Sequence, residues 1–124
     1  MTQDQTQGQP ADPTRRPFTL YASDERVYAS NVRNKLVDLG SIEQVDGRIG
    51  YLLDGAGPAG QGFEDVPAAL RDMAARLSFL YLDGQFTAQA DLREGDPPPL
   101  DHADRLDFEL DELGPAEPAF DPDV

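Results

Sequence analysis

The sequence predicts an α+β domain in which a four-stranded antiparallel sheet carries two helices on one face. Two observations lead to this fold class. Residues 66–82 place apolar side chains at helical spacing, and Asp46-Gly47 joins two alternating segments as a hairpin turn does. Shorter patterns on either side complete a β-α-β-β-α-β order over residues 17–93. At 124 residues, of which 39% are hydrophobic, the chain is long enough for one small domain.

Residues 66–82 are predicted to be the main helix of the core. Their apolar residues recur at steps of three and four, so they share one stripe of a helix: Val66, Leu70, Met73, Leu77, Leu80 and Tyr81. Asp65 is the expected N-cap, Pro67 suits the first turn, and Gly84 is the expected end. This stripe is expected to dominate the core.

The hairpin around Asp46-Gly47 is the clearest local signal. A two-residue type I′ turn needs positive φ at both positions, which Asp and Gly tolerate. Val45 is then opposite Arg48, and alternation assigns every strand residue to a face. The predicted core-facing residues are Ile42, Ile49, Tyr51 and Leu53. The predicted residues of the other face are Glu43, Val45, Arg48 and Leu52.

The remaining elements of the domain are predicted from weaker patterns. Residues 18–22 alternate as a first strand does. Ser23 is expected to cap a first helix that ends at Gly40, because apolar residues recur between them at helical spacing: Tyr28, Val32, Leu36 and Leu39. Residues 86–92 alternate again and are expected to form the last strand.

Composition separates this domain from its flanks. Residues 1–16 are rich in Gln, Thr and Pro and are expected to be a disordered tail. After residues 17–93 come a proline linker at 94–99, an acidic amphipathic segment at 100–113 and an acidic, proline-bearing tail at 114–124, which is also expected to be disordered.

The acidic amphipathic segment is the candidate partner-binding site. Leu106, Phe108 and Leu110 alternate with acids, as in a strand. Leu106, Leu110 and Leu113 also fit a helical stripe, and the acidic start and the Gly-Pro stop favour a helix slightly. Apolar anchors separated by acids are typical of peptides that dock in basic-rimmed grooves. The alternative is that these residues cover the domain's own sheet or extend its edge, because small domains lack apolar surface.

The formal charge of −14 restricts the partners. The 24 acidic residues against 10 basic ones repel nucleic-acid phosphates and anionic lipid, so neither direct nucleic-acid binding nor membrane binding is expected. The acidity is expected to serve solubility first. The alternative is a DNA mimic that occupies the basic groove of a nucleic-acid-binding protein.

The expected location is the cytoplasm. No apolar run approaches the roughly 18 residues of a membrane helix, and the first 17 residues lack the apolar centre of a signal peptide. The absence of cysteine removes disulfides, thiolate metal sites and cysteine nucleophiles, and it is compatible with a reducing compartment.

The glycine-rich loop of residues 54–62 is weighed as a ligand site. Gly55, Gly57 and Gly60 match the G-x-G-x-x-G pattern of dinucleotide-binding turns. That turn must open a helix at once, whereas here Pro58 lies inside it and the predicted helix starts later. A connector or lid is therefore expected, and no cofactor.

Metal and catalytic sites are not expected either. His102 is the only histidine, and its neighbours Asp101 and Asp104 have no second ligand cluster to complete a site. Paired acids are frequent, but nothing in the sequence marks one as buried while its neighbour stays ionised.

The sequence thus favours a small acidic, non-enzymatic protein-interaction or regulatory protein that binds a protein partner through its sheet or through residues 105–113. The alternatives are the DNA mimic and a small-ligand-binding domain or enzyme that uses the loop of residues 54–62. A homodimer through a sheet edge is a further expectation. The element order resembles the ferredoxin-like arrangement, which many unrelated functions share, so it indicates no function.

Overall fold

The computed structural model describes residues 15–112, which form a six-stranded antiparallel sheet, curled into a half-barrel, and two helices. The strands are β1 (Arg15–Ser23), β2 (Arg26–Ser30), β3 (Leu36–Val45), β4 (Arg48–Leu53), β5 (Ala59–Phe63) and β6 (Asp104–Asp111). The helices are α1 (Val66–Arg76) and α2 (Phe79–Ala88), with a 3-10 turn at Leu92–Glu94. The strand order is β5-β4-β3-β2-β1-β6, so β5 and β6 are the two edges.

The α+β content is confirmed, but the predicted four-stranded ferredoxin-like arrangement is wrong. The region expected to be the first helix forms β2 and the start of β3. Asp24 and Glu25, read as a helix start, make a two-residue hairpin turn with φ of 51° and 65°. Val27 and Ala29 are fully buried, whereas Val32 of the predicted helical stripe is 64% exposed. All of β2 except Arg26 is buried within the sheet, and this burial outweighs the local helical spacing.

The predicted main helix at residues 66–82 is divided into two. Asp65 caps α1 as expected, and its carboxylate accepts a backbone hydrogen bond from the first turn at 2.9 Å. Leu77 is extended and ends α1, and the Ser78 side chain caps α2. Leu80, expected on the buried stripe, is 80% exposed, because the extended Leu77 interrupts the helical spacing on which that stripe depends.

The predicted helix end at Gly84 and the predicted strand at residues 86–92 are also wrong. The second helix, α2, runs through Gly84 and ends at Ala88. Glycine costs about 1 kcal/mol in a helix interior, whereas each large buried side chain contributes about 1.5–3 kcal/mol. Leu82 and Phe86 are both buried in the core, so their packing explains why the helix continues.

The β3–β4 hairpin is confirmed in both turn and register. Asp46 and Gly47 have φ of 53° and 78°, and Val45 is opposite Arg48. The predicted core-facing residues are buried or pack partly buried against the core: Ile42, Ile49, Tyr51 and Leu53. The predicted outward-facing residues are exposed: Glu43, Val45, Arg48 and Leu52.

Replacing the turn glycine tests this hairpin. Gly47→Val should lower the free energy of unfolding by more than about 1 kcal/mol, because a β-branched residue resists positive φ. A Cβ atom at this position meets no other atom within 4 Å, so the loss would come from backbone strain alone. Thermal unfolding followed by circular dichroism measures it, with Asp46→Asn as the control, since Asn tolerates the same backbone region. Equal melting temperatures for Gly47→Val and the parent would contradict the turn.

The acidic amphipathic segment forms the edge strand β6 rather than the slightly favoured helix. It pairs with β1 along its whole length, with Phe18 opposite Phe108. Leu106, Phe108 and Leu110 are partly buried against the core. Alternate burial on the edge of β1 therefore outweighs the low strand propensity of the intervening acids. Leu113 and the two predicted tails, apart from Arg15 and Arg16, lie outside the described residues.

A bulge brings β3 unusually close to β4. The pairing of β2 with β3 shifts register between Val27, which is opposite Gly40, and Tyr28, which is opposite Asp38. Gly40 has a φ of +157°, and a Cβ atom there would lie 2.7 Å from the Cα atom of Leu53. Only glycine fits this approach without a shift of one strand.

Side chains protect the part of β3 that β4 leaves uncovered. The pairing with β4 begins at Gly40, so the first residues of β3 have no strand on that side. Gln89 accepts a hydrogen bond from the Asp38 amide at 3.3 Å and donates one to the Asp38 carbonyl at 2.9 Å. Asp91 accepts one from the Leu36 amide at 3.0 Å, and this bond is the main cause that lowers the pKa of Asp91. These contacts satisfy backbone groups that an open edge would expose.

Candidate partner-binding surface

Three of the four residues predicted to bind a partner, Leu106, Phe108 and Leu110, lie against the domain's own core. The ring of Phe108 is 5.9 Å from that of Phe18, and Leu106 and Leu110 also pack on the core. For a partner to bind these side chains, β6 would have to separate from β1. Binding through them stays a prediction, and the exposed surface offers better candidates.

Three acids in or directly after β6 are engaged with nearby arginines and a hydroxyl. Three arginines and one threonine contact them at 2.7–3.3 Å: Arg15 with Glu109, Arg16 with Glu112, and both Thr19 and Arg105 with Asp107. The hydrogen bond from Thr19, followed by that from Arg105, lowers the pKa of Asp107. This end of the sheet therefore presents less free negative charge than its sequence indicates.

An open cleft of about 440 Å³ lies on the face of β3, β4 and β5 that points away from the core. Val45 and Leu52 border it and are 55% and 59% exposed. Along β4, Gly50 lies between Leu52 and Arg48, the residue opposite Val45. Because Gly50 has no side chain, backbone atoms form the middle of the cleft. Gly60 and Gly62 of the edge strand β5 form the far wall. The cleft therefore joins exposed apolar side chains to accessible backbone.

A smaller pocket of about 230 Å³ adjoins this cleft and shares Glu43 and Ile49 with it. It lies where the β1–β2 hairpin ends while β3 continues. The amide of Ile42 donates to the carbonyl of Glu25 at 3.0 Å, and β3 runs three residues further, to Val45. The step between the two hairpins exposes an apolar lining: Ala22, Ile42, Ile49 and Val66.

Carboxylates surround both depressions. Five acidic residues line them, and none of their side chains forms a hydrogen bond or an ion pair with residues 15–112: Asp24, Glu25, Glu43, Asp46 and Asp104. Arg48 is the single basic residue among the lining residues. We call these five acids, together with Val45 and Leu52, the acidic–apolar surface.

The glycine-rich loop packs against the domain and does not open a helix. Residues 59–62 of this segment belong to the strand β5, which precedes α1, in contrast to a phosphate-binding turn. A Cβ atom on Gly57 would lie 2.6 Å from the hydroxyl of Tyr81, and one on Gly60 would lie 3.0 Å from the ring of Tyr51. Close packing on two tyrosines therefore accounts for these two glycines without a phosphate ligand.

Metal ligands and membrane spans are not found in the described part of the chain. Between residues 15 and 112, no group of three or more His, Cys, Asp or Glu side chains could hold a metal ion. His102 is exposed in the turn that precedes β6. Neither α1 nor α2 has the length and apolar character needed to cross a membrane.

Comparison of the chain with family models, with curated proteins and with solved structures finds no match. Function has to be inferred from the acidic–apolar surface itself. The sequence placed Glu43, Val45 and Leu52 correctly on the outward face of one hairpin. It did not indicate that Asp24 and Asp104, which belong to other elements, line the same pocket as Glu43. The signal that the sequence offered for this surface was the presence of two apolar residues, Val45 and Leu52, on a predicted outward face that also carries Glu43 and Arg48.

Proposed function

We propose that the protein is a non-enzymatic interaction module whose acidic–apolar surface binds a protein partner. The partner would present an apolar patch flanked by lysine or arginine. The observation that carries this proposal is the exposure of Val45 and Leu52 at a cleft that is lined by two of the five carboxylates, while the adjoining pocket holds the others. None of the five carboxylates has a hydrogen-bond or ion-pair partner among residues 15–112. Large apolar side chains grouped at a concave, charged surface are typical of protein contact sites.

The two kinds of residue would have different roles in binding. Burial of Val45 and Leu52 would supply affinity, since a fully buried large aliphatic side chain contributes about 1.5–3 kcal/mol. The carboxylates would steer a basic partner and repel nucleic acid. The described residues include 19 acidic and 10 basic side chains, a net charge of −9, so the wider field of the domain acts in the same direction.

Two alternatives have less support from the geometry. The carboxylates of the surface are all exposed, whereas acid–base catalysis relies on burial to tune one group against another. A DNA mimic needs free acids spread at phosphate-like spacing, but Asp107, Glu109 and Glu112 are engaged by arginines and a threonine. An apolar centre such as Val45 and Leu52 fits a protein surface better than a groove that binds phosphates.

A matched pair of leucine substitutions tests the proposal. Leu52→Ser changes the surface, while Leu80→Ser makes the same chemical change at an exposed position in α2. The immobilised parent and both variants are used to capture proteins from native lysate, and captured proteins are quantified by mass spectrometry. We expect a protein that the parent and Leu80→Ser retain and that Leu52→Ser loses. Capture that is equal for all three would contradict the proposal.

The captured partner then allows the two roles to be separated. With purified proteins, Leu52→Ser should raise Kd about tenfold, which corresponds to 1.4 kcal/mol, mainly through faster dissociation. Glu43→Gln combined with Asp46→Asn should instead slow association at low salt. Affinity that depends steeply on salt and not on Leu52 would favour the DNA mimic.

A further inference from the structure

A separate pocket of about 260 Å³ lies at the opposite end of the sheet and has both an apolar and a polar wall. Its apolar wall comes from β1, from the β2–β3 loop and from the start of α2: Pro17, Phe18, Val32 and Phe79. Its polar lining residues are Arg16, Asn31, Arg33 and Asp83. Val32 is 64% exposed, and Leu80, the neighbour of Phe79, is 80% exposed. Two of the four exposed large hydrophobic residues of the described chain are therefore at this end.

The described part of the chain ends beside this pocket. In the β1–β6 pairing Arg16 is opposite Leu110, and its guanidinium donates to a carboxylate oxygen of Glu112 at 3.2 Å. Residues 113–124 therefore directly follow Glu112, which contacts Arg16, and the side chain of Arg16 lines the pocket. An extended chain covers about 3.3–3.6 Å per residue, so the eight residues from Glu112 to Phe120 reach up to about 29 Å.

The chemistry of residues 113–124 complements the pocket. The Arg33 guanidinium forms no hydrogen bond or ion pair with residues 15–112. The segment carries three large apolar residues, Leu113, Phe120 and Val124, and three acids: Glu117, Asp121 and Asp123. Asp83 also lines the pocket and would repel carboxylates, so the acids of the segment would have to lie on the side of Arg33.

Residues 1–14 are the other segment that joins the domain at this end of the sheet, because β1 begins at Arg15. They carry two acids, Asp4 and Asp12, but no aromatic residue. An aromatic ring is the group that best fills an apolar pocket lined by Phe18 and Phe79. The sequence content therefore favours residues 113–124 as the occupant.

We infer that residues 113–124 of the same chain bind this pocket, with Phe120 against Val32 and Phe79 and with carboxylates near Arg33. The contact would cover the exposed apolar residues at this end and leave the acidic–apolar surface at the other end accessible. The inference does not depend on the proposed function, because the two surfaces have no lining residue in common.

Paramagnetic relaxation in the full-length protein tests the inference. The natural chain has no cysteine, so Ala119→Cys provides a single attachment point for a nitroxide label beside Phe120. We expect the amide signals of residues 31–33 and 79–83 to lose most of their intensity relative to the sample with reduced nitroxide. Signals of residues 45–48, at the other end of the sheet, should keep theirs. Unchanged intensity at residues 31–33 and 79–83 would overturn the inference.

Matched variants and a mixing experiment exclude other origins of such a signal. Arg33→Glu should restore the intensities, whereas Arg48→Glu, which reverses an arginine without an ion pair at the other end, should leave the broadening intact. Broadening that survives both Arg33→Glu and Phe120→Ala would overturn the inference. So would broadening of isotope-labelled chains by separate nitroxide-labelled chains, because the contact would then join two molecules. A label at Thr6→Cys that broadens the same amides would instead assign the pocket to residues 1–14.

Discussion

Gly40→Ala should lower the free energy of unfolding by about 3 kcal/mol. A Cβ atom at this position would lie 2.7 Å from the Cα atom of Leu53 and closer still to the carbonyl oxygen of Leu52, so two strands would have to move apart. Overpacking of this kind costs about 1–3 kcal/mol, and an L-residue at unfavourable positive φ adds about 1–2 kcal/mol. Urea unfolding followed by far-UV circular dichroism measures the loss.

Gly50→Ala is the matched control in the neighbouring strand. A Cβ atom on Gly50 would make ordinary contacts at 3.4 Å with Gln61 and Gly60. The stability of this variant should stay within about 0.5 kcal/mol of the parent, as for other surface changes. If Gly40→Ala were equally harmless, the close approach of β3 and β4 at the bulge would be wrong.

Phe18→Ala should cost about 3–5 kcal/mol, the range measured for buried phenylalanine in protein cores. Its ring lies 5.9 Å from those of Phe86 and Phe108 and 6.1 Å from that of Phe79. One side chain of β1 thus contacts both α2 and β6. Its removal would leave a cavity in the middle of the aromatic cluster and also remove favourable ring contacts.

The control for Phe18→Ala is Leu80→Ala, which truncates an exposed side chain next to the same cluster. Its effect should stay within about 0.5 kcal/mol. Calorimetric melting of the three proteins compares the two losses directly. A change below about 1 kcal/mol for Phe18→Ala would mean that β6 and α2 do not meet on β1.

Local turn chemistry explains which parts of the fold could be predicted from the sequence. Asp46-Gly47 permits the turn that it forms, so the hairpin and the two faces of its strands followed from adjacent residues. The Asp24-Glu25 turn lacks glycine, and both residues adopt positive φ at some cost. Its residues fit a helix start equally well by composition, so only the pairing of β2 with β3 decides between hairpin and helix.

The helices show a second limit, which concerns long-range packing. The spacing of apolar residues at 66–82 is continuous, but the helix stops at Leu77 and restarts after Ser78. A serine N-cap inside an apolar run is a weak signal, and the exposure of Leu80 follows only from the break before α2. The pattern of apolar side chains predicts that a segment is helical. The position at which the helix is interrupted depends instead on what α1 and α2 each pack against.

The candidate surface could be predicted only in part, for the same reason. The outward positions of Glu43, Val45 and Leu52 followed from the register of one hairpin. Asp104 lines the same pocket as Glu43 because β6 pairs with β1, which places the first residue of β6 opposite Ala22. That contact joins elements far apart in the chain, and no single-sequence pattern reports it.

The pairing of the first strand with the last one also has a consequence for how the protein is made. Thr19 and Asp107, which form a hydrogen bond across β1 and β6, are 88 residues apart. At the usual 5–20 residues per second, a ribosome needs roughly 4–18 s to synthesise the residues between them. During that interval the nascent chain holds an unpaired β1 edge and an incomplete aromatic cluster around Phe18. Folding to completion is therefore expected only after β6 has emerged, and chains truncated before it should be prone to aggregation and degradation.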